Sequence, residues 1–211
     1  MLAQEILKVL ALGMTEKEKV EKIQKLCTDD IYVHTCSKPV GNRFKFIQKE
    51  CKKAKRPCLT KVHRSEKYGL VWTDAYVLCT FRDDTFPTDL LATEKEKLNV
   101  DNVLKSVGND KANASVEYKD VKARLACLPT KKEKEADIIE IGDSVFKTCL
   151  VDKVFKFYGL DKLDLHTKNS CVAYGYTENG DAFLICPMKK EGENNEILLC
   201  RVLPLWHTHI L

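Results

Sequence analysis

Arg43-Phe44-Lys45-Phe46 returns 111 positions on as Val154-Phe155-Lys156-Phe157, and two further blocks follow each copy in the same order. Trp72-Thr73-Asp74 is answered by Tyr176-Thr177-Glu178, and Ala75-Tyr76-Val77-Leu78-Cys79 by Ala182-Phe183-Leu184-Ile185-Cys186. The offset drifts from 111 to 104 to 107, and Asn179-Gly180-Asp181 lengthens the second turn. Three blocks in one order with one apolar pattern read as two copies of a single supersecondary unit. A two-copy scaffold with no evident catalytic constellation points to a binding or structural protein, not an enzyme.

Working outward, apolar spacing predicts helices over 2–12 and 16–27. The second is announced by the capping-box pattern Thr15-Glu16-Lys17-Glu18. Ile31–Cys36 reads as a short strand, 42–54 as a helix ended by Pro57, and 58–64, 67–74 and 75–82 as three strands. The second copy reads as strand 137–141, helix 148–158, and strands 162–167, 171–177 and 181–187. Gly142, Gly159 and Asn179-Gly180 supply its turns. The expected architecture is α+β, a duplicated β-α-β-β-β unit with a helical N-terminal extension. It divides into an extension (1–30), a first unit (31–84), a connector (85–135) and a second unit with a C-terminal strand (136–211). The connector carries a helical pattern starting at Thr88, a strand-like Ser115–Tyr118 and, at Lys131–Glu135, a charge run that reads as a solvated loop or helix face.

With 211 residues, 44% apolar and 31% charged, the chain can bury a core, and no run is long enough to span a membrane. Met1–Leu12 holds Glu5 and Lys8 and reads as a helix, not an export signal. The ten cysteines form no CxxC pair and are expected to be reduced, as in a cytoplasmic protein. On that reading the Asn113-Ala114-Ser115 sequon is irrelevant. The net charge of +4 is unevenly placed: residues 1–84 hold 17 Lys/Arg against 11 Asp/Glu (+6), and the rest 18 against 20 (−2). Such asymmetry suits an anionic partner.

The basic surplus concentrates on the first-copy helix. Eight cations and one anion, Glu50, fall between 38 and 56. At helical spacing Lys45, Lys49 and Lys52 share one face, with Arg56 continuing the stripe and Lys53 beside it, while Phe44, Ile47, Cys51 and Ala54 lie opposite. A row of ammonium groups on one face suits the phosphates of duplex DNA, bound without regard to sequence; the plain alternative is an ordinary solvated helix face. No metal or cofactor is expected. His207 and His209 near Cys200, and the His34/Cys36 pair, fit no zinc spacing. Asp83, Asp84 and Asp89 beside Pro87 read as turn-forming acids before they read as a magnesium site. No cysteine is marked as an activated nucleophile. Thr73-Asp74 and Thr177-Glu178 are read as hairpin turns whose side chains bond the turn backbone.

Lys55-Arg56-Pro57-Cys58-Leu59, followed by Gly69-Leu70-Val71-Trp72-Thr73-Asp74-Ala75-Tyr76-Val77-Leu78, resembles the signature of bacterial β sliding clamps. In that family an Arg-Pro-x-Leu strand follows a basic helix, and a Thr-Asp-Gly/Ser-Tyr/His-Arg-Leu turn links two strands. Ala182–Lys189 is similar to the clamp's closing strand, a hydrophobic run into Pro-Met/Val-Arg/Lys. The resemblance spans roughly 31–84 and 136–190. Two departures stand out: Val77 occupies the family's usual Arg position, and the chain has two units where a bacterial clamp protomer has six.

The resemblance implies one clamp-type domain, in a short phage- or mobile-element-type member, with its helix facing duplex DNA and replication proteins as partners. A ring would need six copies. Lys45, Lys49, Lys52, Lys53 and Arg56 are the expected DNA-binding residues, in a processivity-factor-like, non-enzymatic role. The rival reading is a protein–protein adaptor that kept the clamp fold and lost DNA, with Leu203-Pro204-Leu205-Trp206 as a docking strand.

Overall fold

The computed structural model describes residues 2–168 and 171–188. Two helices open it, α1 (Leu2–Leu10) and α2 (Glu16–Thr35), followed by α3 (Lys38–Lys53). Strands β1 (His63–Ser65), β2 (Gly69–Thr73) and β3 (Val77–Phe81) come next. The connector holds α4 (Val100–Leu104), β4 (Ala114–Glu117), α5 (Tyr118–Ala126) and α6 (Lys131–Ala136). Then follow the hairpin β5 (Ile138–Ile141) and β6 (Ser144–Lys147), helix α7 (Thr148–Tyr158), and strands β7 (Lys162–Leu165), β8 (Ala173–Tyr176) and β9 (Ala182–Ile185).

The protein is a mixed helix-and-sheet fold built on antiparallel pairings. Five strands form the main sheet in the order β1-β2-β3-β9-β8, and β4-β7 and β5-β6 are separate pairs. At the sheet centre β3 and β9 run antiparallel, with Val77 opposite Ile185, Leu78 opposite Leu184 and Cys79 opposite Phe183. A bridge between His166 and Tyr174 carries β7 alongside β8.

Side-chain alternation explains the layering. Trp72, Val77, Cys79, Phe81, Phe183 and Ile185 join the core cluster that includes Phe44, Ile47, Val154, Phe155 and Phe157 of α3 and α7. The intervening Val71, Leu78, Tyr174, Leu184 and Cys186 face the other way, onto Leu98, Val100, Val103 and Leu104. Because both faces are covered, β3 and β9 are buried at every position. The helix layer runs α1-α2-α3-α7-α5.

The strand expected at Ile31–Cys36 is instead the last turn and a half of α2. The capping box is present: the Thr15 hydroxyl accepts from the Glu18 amide, and Glu18 accepts from the Thr15 amide at 2.9 Å. Nothing breaks the helix it starts before Ser37 and Pro39. Tyr32 buries its ring against Phe44, 4.7 Å between centroids, so tertiary packing overrides a short β-prone run. Residues 58–60, expected to begin a strand, belong to a 3₁₀ turn over 57–60 opened by Pro57, and β1 is only three residues long. The pattern at Thr88 yields a 3₁₀ turn at 88–90 and the short α4, not a long helix. The charge run at 131–135 is a capped helix, with Thr130 and Glu133 as its box. The C-terminal strand and the docking run Leu203–Trp206 lie outside the described residues.

The second half holds closer to expectation. Helix α7 spans the expected 148–158, ended by Gly159 at φ 70° with its amide on the Phe155 carbonyl. Where one strand was expected at 137–141 there is a hairpin, turned at Gly142-Asp143 with Gly142 at φ 57°. None of the described helices is long and apolar enough to cross a membrane.

Candidate nucleic-acid interface

Helix α3 sits between α2 and α7, and the sheet lies beneath it. That setting accounts for three of its sides. Phe44, Ile47 and Cys51 point into the core. Gln48 reaches α2, donating to Asp29 at 2.7 Å, and Glu50 reaches α7, 3.2 Å from the Lys153 ammonium. What remains for solvent is a ridge at helical spacing: Lys38, Asn42, Lys45, Lys49 and Lys52, all exposed. Lys45 and Lys49 enter no ion pair with a described residue, and Lys52 lies within electrostatic reach of Asp29. No acid lies on the ridge.

The five expected residues therefore separate. Lys45, Lys49 and Lys52 are brought together on the ridge. Lys53 is exposed but turned toward Glu50, its ammonium 2.5 Å from the carboxylate. Arg56 follows the end of α3, is exposed, and has interactions of its own.

On α7 the cations are tied down. Lys153 bridges Asp74 at 2.5 Å and Glu50 at 3.2 Å, and Lys156 bonds Asp152 at 2.5 Å. Burial disfavours ionisation of Glu50, yet the bonds from Lys53 and Lys153 outweigh it and hold its carboxyl below the usual range. Burial likewise opposes the Lys153 charge, and Asp74 and Glu50 overcome it, raising its pKa. Sequence reading noticed only the Asp152 offset.

Beyond α7, α5 places Lys122 4.0 Å over the Tyr118 ring, which stacks on Phe155 at 4.7 Å.

The hairpin turns behave as read. The Thr73 hydroxyl donates to the Val77 carbonyl at 2.8 Å, and Asp74 Oδ1 accepts from the amides of Tyr76 and Val77 at 2.9 and 2.8 Å. Ala75 sits at φ 78°, in the left-handed region. Asp74 thus serves twice, ordering the turn with one oxygen and pairing with Lys153 through the other.

Three of the remaining chemical candidates have structural partners. Asp83 accepts from Tyr32 and Thr85, and Asp89 pairs with Lys25. His34 lies on the Asp30 carbonyl. No three His, Cys, Asp or Glu side chains among the described residues converge as metal ligands. Burial pushes the Cys51 thiol up to about 11 and raises Cys58, Cys79 and Cys149, the opposite of activation. The nine described cysteines are free thiols. His207, His209 and Cys200 lie outside the described residues. The chain matches no model of a known protein family, no curated protein and no solved structure.

Proposed function

We propose that the chain is a non-enzymatic, clamp-like DNA-associated protein that holds the phosphate backbone of a duplex through the α3 ridge. The observation that carries this reading is the acid-free row Lys38, Lys45, Lys49 and Lys52 on the side of α3 that the described residues leave to solvent. Such a row contributes through counterion release, so affinity depends on salt and not on sequence.

Support for the clamp-type duplication comes from the sheet. The repeat equates Val77 with Leu184 and Leu78 with Ile185, and the pairing joins Val77 to Ile185 and Leu78 to Leu184. Exchanging the two copies maps that pairing onto itself, as a local two-fold axis between two equivalent strands requires. The α2 extension over 31–35 and the extra strand β6 make the units unequal, and the locked lysines of α7 make their charge unequal too.

Fluorescence anisotropy with a labelled duplex tests the proposal. Three neutralised phosphates give a slope of log K on log salt of about −2.7, a roughly forty-fold loss between 50 and 200 mM salt. Charge reversal at Lys49 and Lys52 is expected to abolish binding and leave the circular dichroism spectrum intact. Unchanged affinity in that variant refutes the assignment.

The adaptor reading is favoured by one observation, the neutralisation of Lys153 and Lys156 by acids of the same fold. Absence of duplex affinity at low salt would favour it.

A further inference from the structure

We infer that the α1–α2 hairpin docks face to face on the same hairpin of a second copy, joining two chains through four helices. This is independent of the duplex reading, because none of the residues involved lies on the lysine ridge.

Exposure marks the surface. Nine large apolar side chains are exposed among the described residues, and five of them fall between 7 and 31: Leu7, Leu10, Leu12, Val20 and Ile31. Leu7 is 65% exposed and Ile31 63%, values that leave most of each side chain in water. The other four, Tyr76, Ile138, Tyr176 and Met188, are spread over later elements. A concentration of this kind on one supersecondary unit marks a contact surface.

Helical geometry puts these side chains on one face. In α1, Leu2, Ile6 and Val9 are the more buried and turn toward α2, on which the helix packs. Ala3, Leu7 and Leu10, each the next residue along, are exposed about 100° round the helix. In α2 the half-buried Lys19, Ile23, Leu26 and Asp30 line the side turned to α1. Here too the next residues along, Val20, Gln24, Cys27 and Ile31, form a stripe about 100° further round. Residues 11–15 turn the chain back, so the helices are antiparallel, and the same rotation from their mutual contact carries both stripes to one side of the hairpin. That side faces away from the body of the fold, which α2 meets through Asp29 and Tyr32.

Charge and size select the occupant. Neither stripe contains a Lys, Arg, Asp or Glu, so the face offers no counter-charge to a nucleic acid or an anionic surface. Lys17 and Glu21 border it with one charge of each sign. An uncharged apolar face is complementary to itself, and a two-fold dimer uses the same patch on both chains. The 4-3-4 spacing of the α2 stripe is that of helices packed side by side in a bundle. With α2 of 20 residues and α1 of 9, each about 10 Å wide, the face projects to roughly 440 Å². Side-chain relief brings the accessible area toward the ~800 Å² per partner of a standard interface, at its smaller and weaker end.

Sedimentation equilibrium on the full chain, from about 1 to about 100 μM, brackets the micromolar affinity such a face supports. The average mass is expected to rise with concentration from the 24.1 kDa of one chain toward twice that. Leu7→Glu/Leu10→Glu should stay at the single-chain mass throughout, with its circular dichroism unchanged because both side chains are exposed. Val20→Glu, which leaves α1 untouched, should do the same. Ile138→Glu, at an exposed apolar side chain elsewhere, should dimerise as the parent does. A parent that remains a single chain at 100 μM overturns the inference, and so does an assembly of any size that survives in the Leu7/Leu10 and Val20 variants. A single chain that instead floats with neutral phosphatidylcholine vesicles would put the face on lipid, and overturns it as well.

Discussion

Replacing Lys153 with methionine removes the one cation shared by Glu50 and Asp74 while keeping the length of the side chain. In the folded protein its ammonium lies 3.2 Å from Glu50 and 2.5 Å from Asp74, and 26% of its side chain is exposed. At an effective dielectric of about 20, each contact is worth on the order of 5–7 kcal/mol of attraction before desolvation is subtracted. Removing one partner of a fully buried pair costs about 3–5 kcal/mol. Partial exposure, and the Lys53 bond that Glu50 retains, reduce this to about 2–3 kcal/mol. For a chain of this size that is a fall in Tm of about 5–10 °C.

Urea denaturation followed by far-UV circular dichroism measures the loss, and its pH dependence identifies the cause. Glu50 titrates below its unfolded value, so the pair contributes fully above about pH 4.5 and its contribution is lost as pH falls through the lower folded value. The gap between parent and variant should accordingly narrow below about pH 4.5. A difference under about 1 kcal/mol at pH 7, or one that does not change with pH, would refute the tether.

Three other perturbations probe separate parts of the fold. Tyr158→Phe removes a buried hydroxyl placed 2.9 Å from the Thr80 carbonyl and 3.0 Å from that of Ala182; a loss of about 1–3 kcal/mol in thermal or urea unfolding is expected. Ala75→Gly relieves the φ of 78° and should raise stability by about 0.5–1 kcal/mol, a gain that a lowered Tm would contradict. His63 is buried as the neutral ring, its Nδ1 accepting from the Leu98 amide at 3.2 Å and its Nε2 on the Cys58 carbonyl at 2.7 Å, and burial keeps its pKa below the ordinary value. Stability should therefore be complete above about pH 6.5 and decline as pH falls toward the folded pKa, and His63→Gln should flatten that part of the curve.

The residues that sequence reading placed well are those whose partners are near in the chain. Helix α7 is legible because its apolar period and its terminal Gly159 are local signals, and the Thr73-Asp74 turn is legible because its hydrogen bonds span only two to four residues. Ile31–Cys36 misleads because β-branched and aromatic side chains there favour a strand locally, whereas the helix is set by a cap sixteen residues earlier and by Phe44. The basic face of α3 follows from spacing alone. That Lys53 turns to Glu50 could have been read as an i, i+3 pair, but the hold of Asp74 on Lys153 joins residues 79 apart and has no local trace. Gly142 marks a turn in the sequence, but the strand after it, β6, is four residues long and runs directly into α7, so it leaves no apolar period of its own.

The pairing of β3 with β9 also governs how the molecule is made. More than a hundred residues separate the two strands, and the Ala182 amide finds the Thr80 hydroxyl at 2.7 Å across that interval. During synthesis β3 emerges from the ribosome with an open edge, Val77 and Cys79 bare, and stays so until nearly all of the described chain has followed. Such late closure slows folding and exposes a sticky strand to neighbours in the meantime. Nascent chains stopped before residue 182 should therefore depend on chaperones far more than the finished chain does.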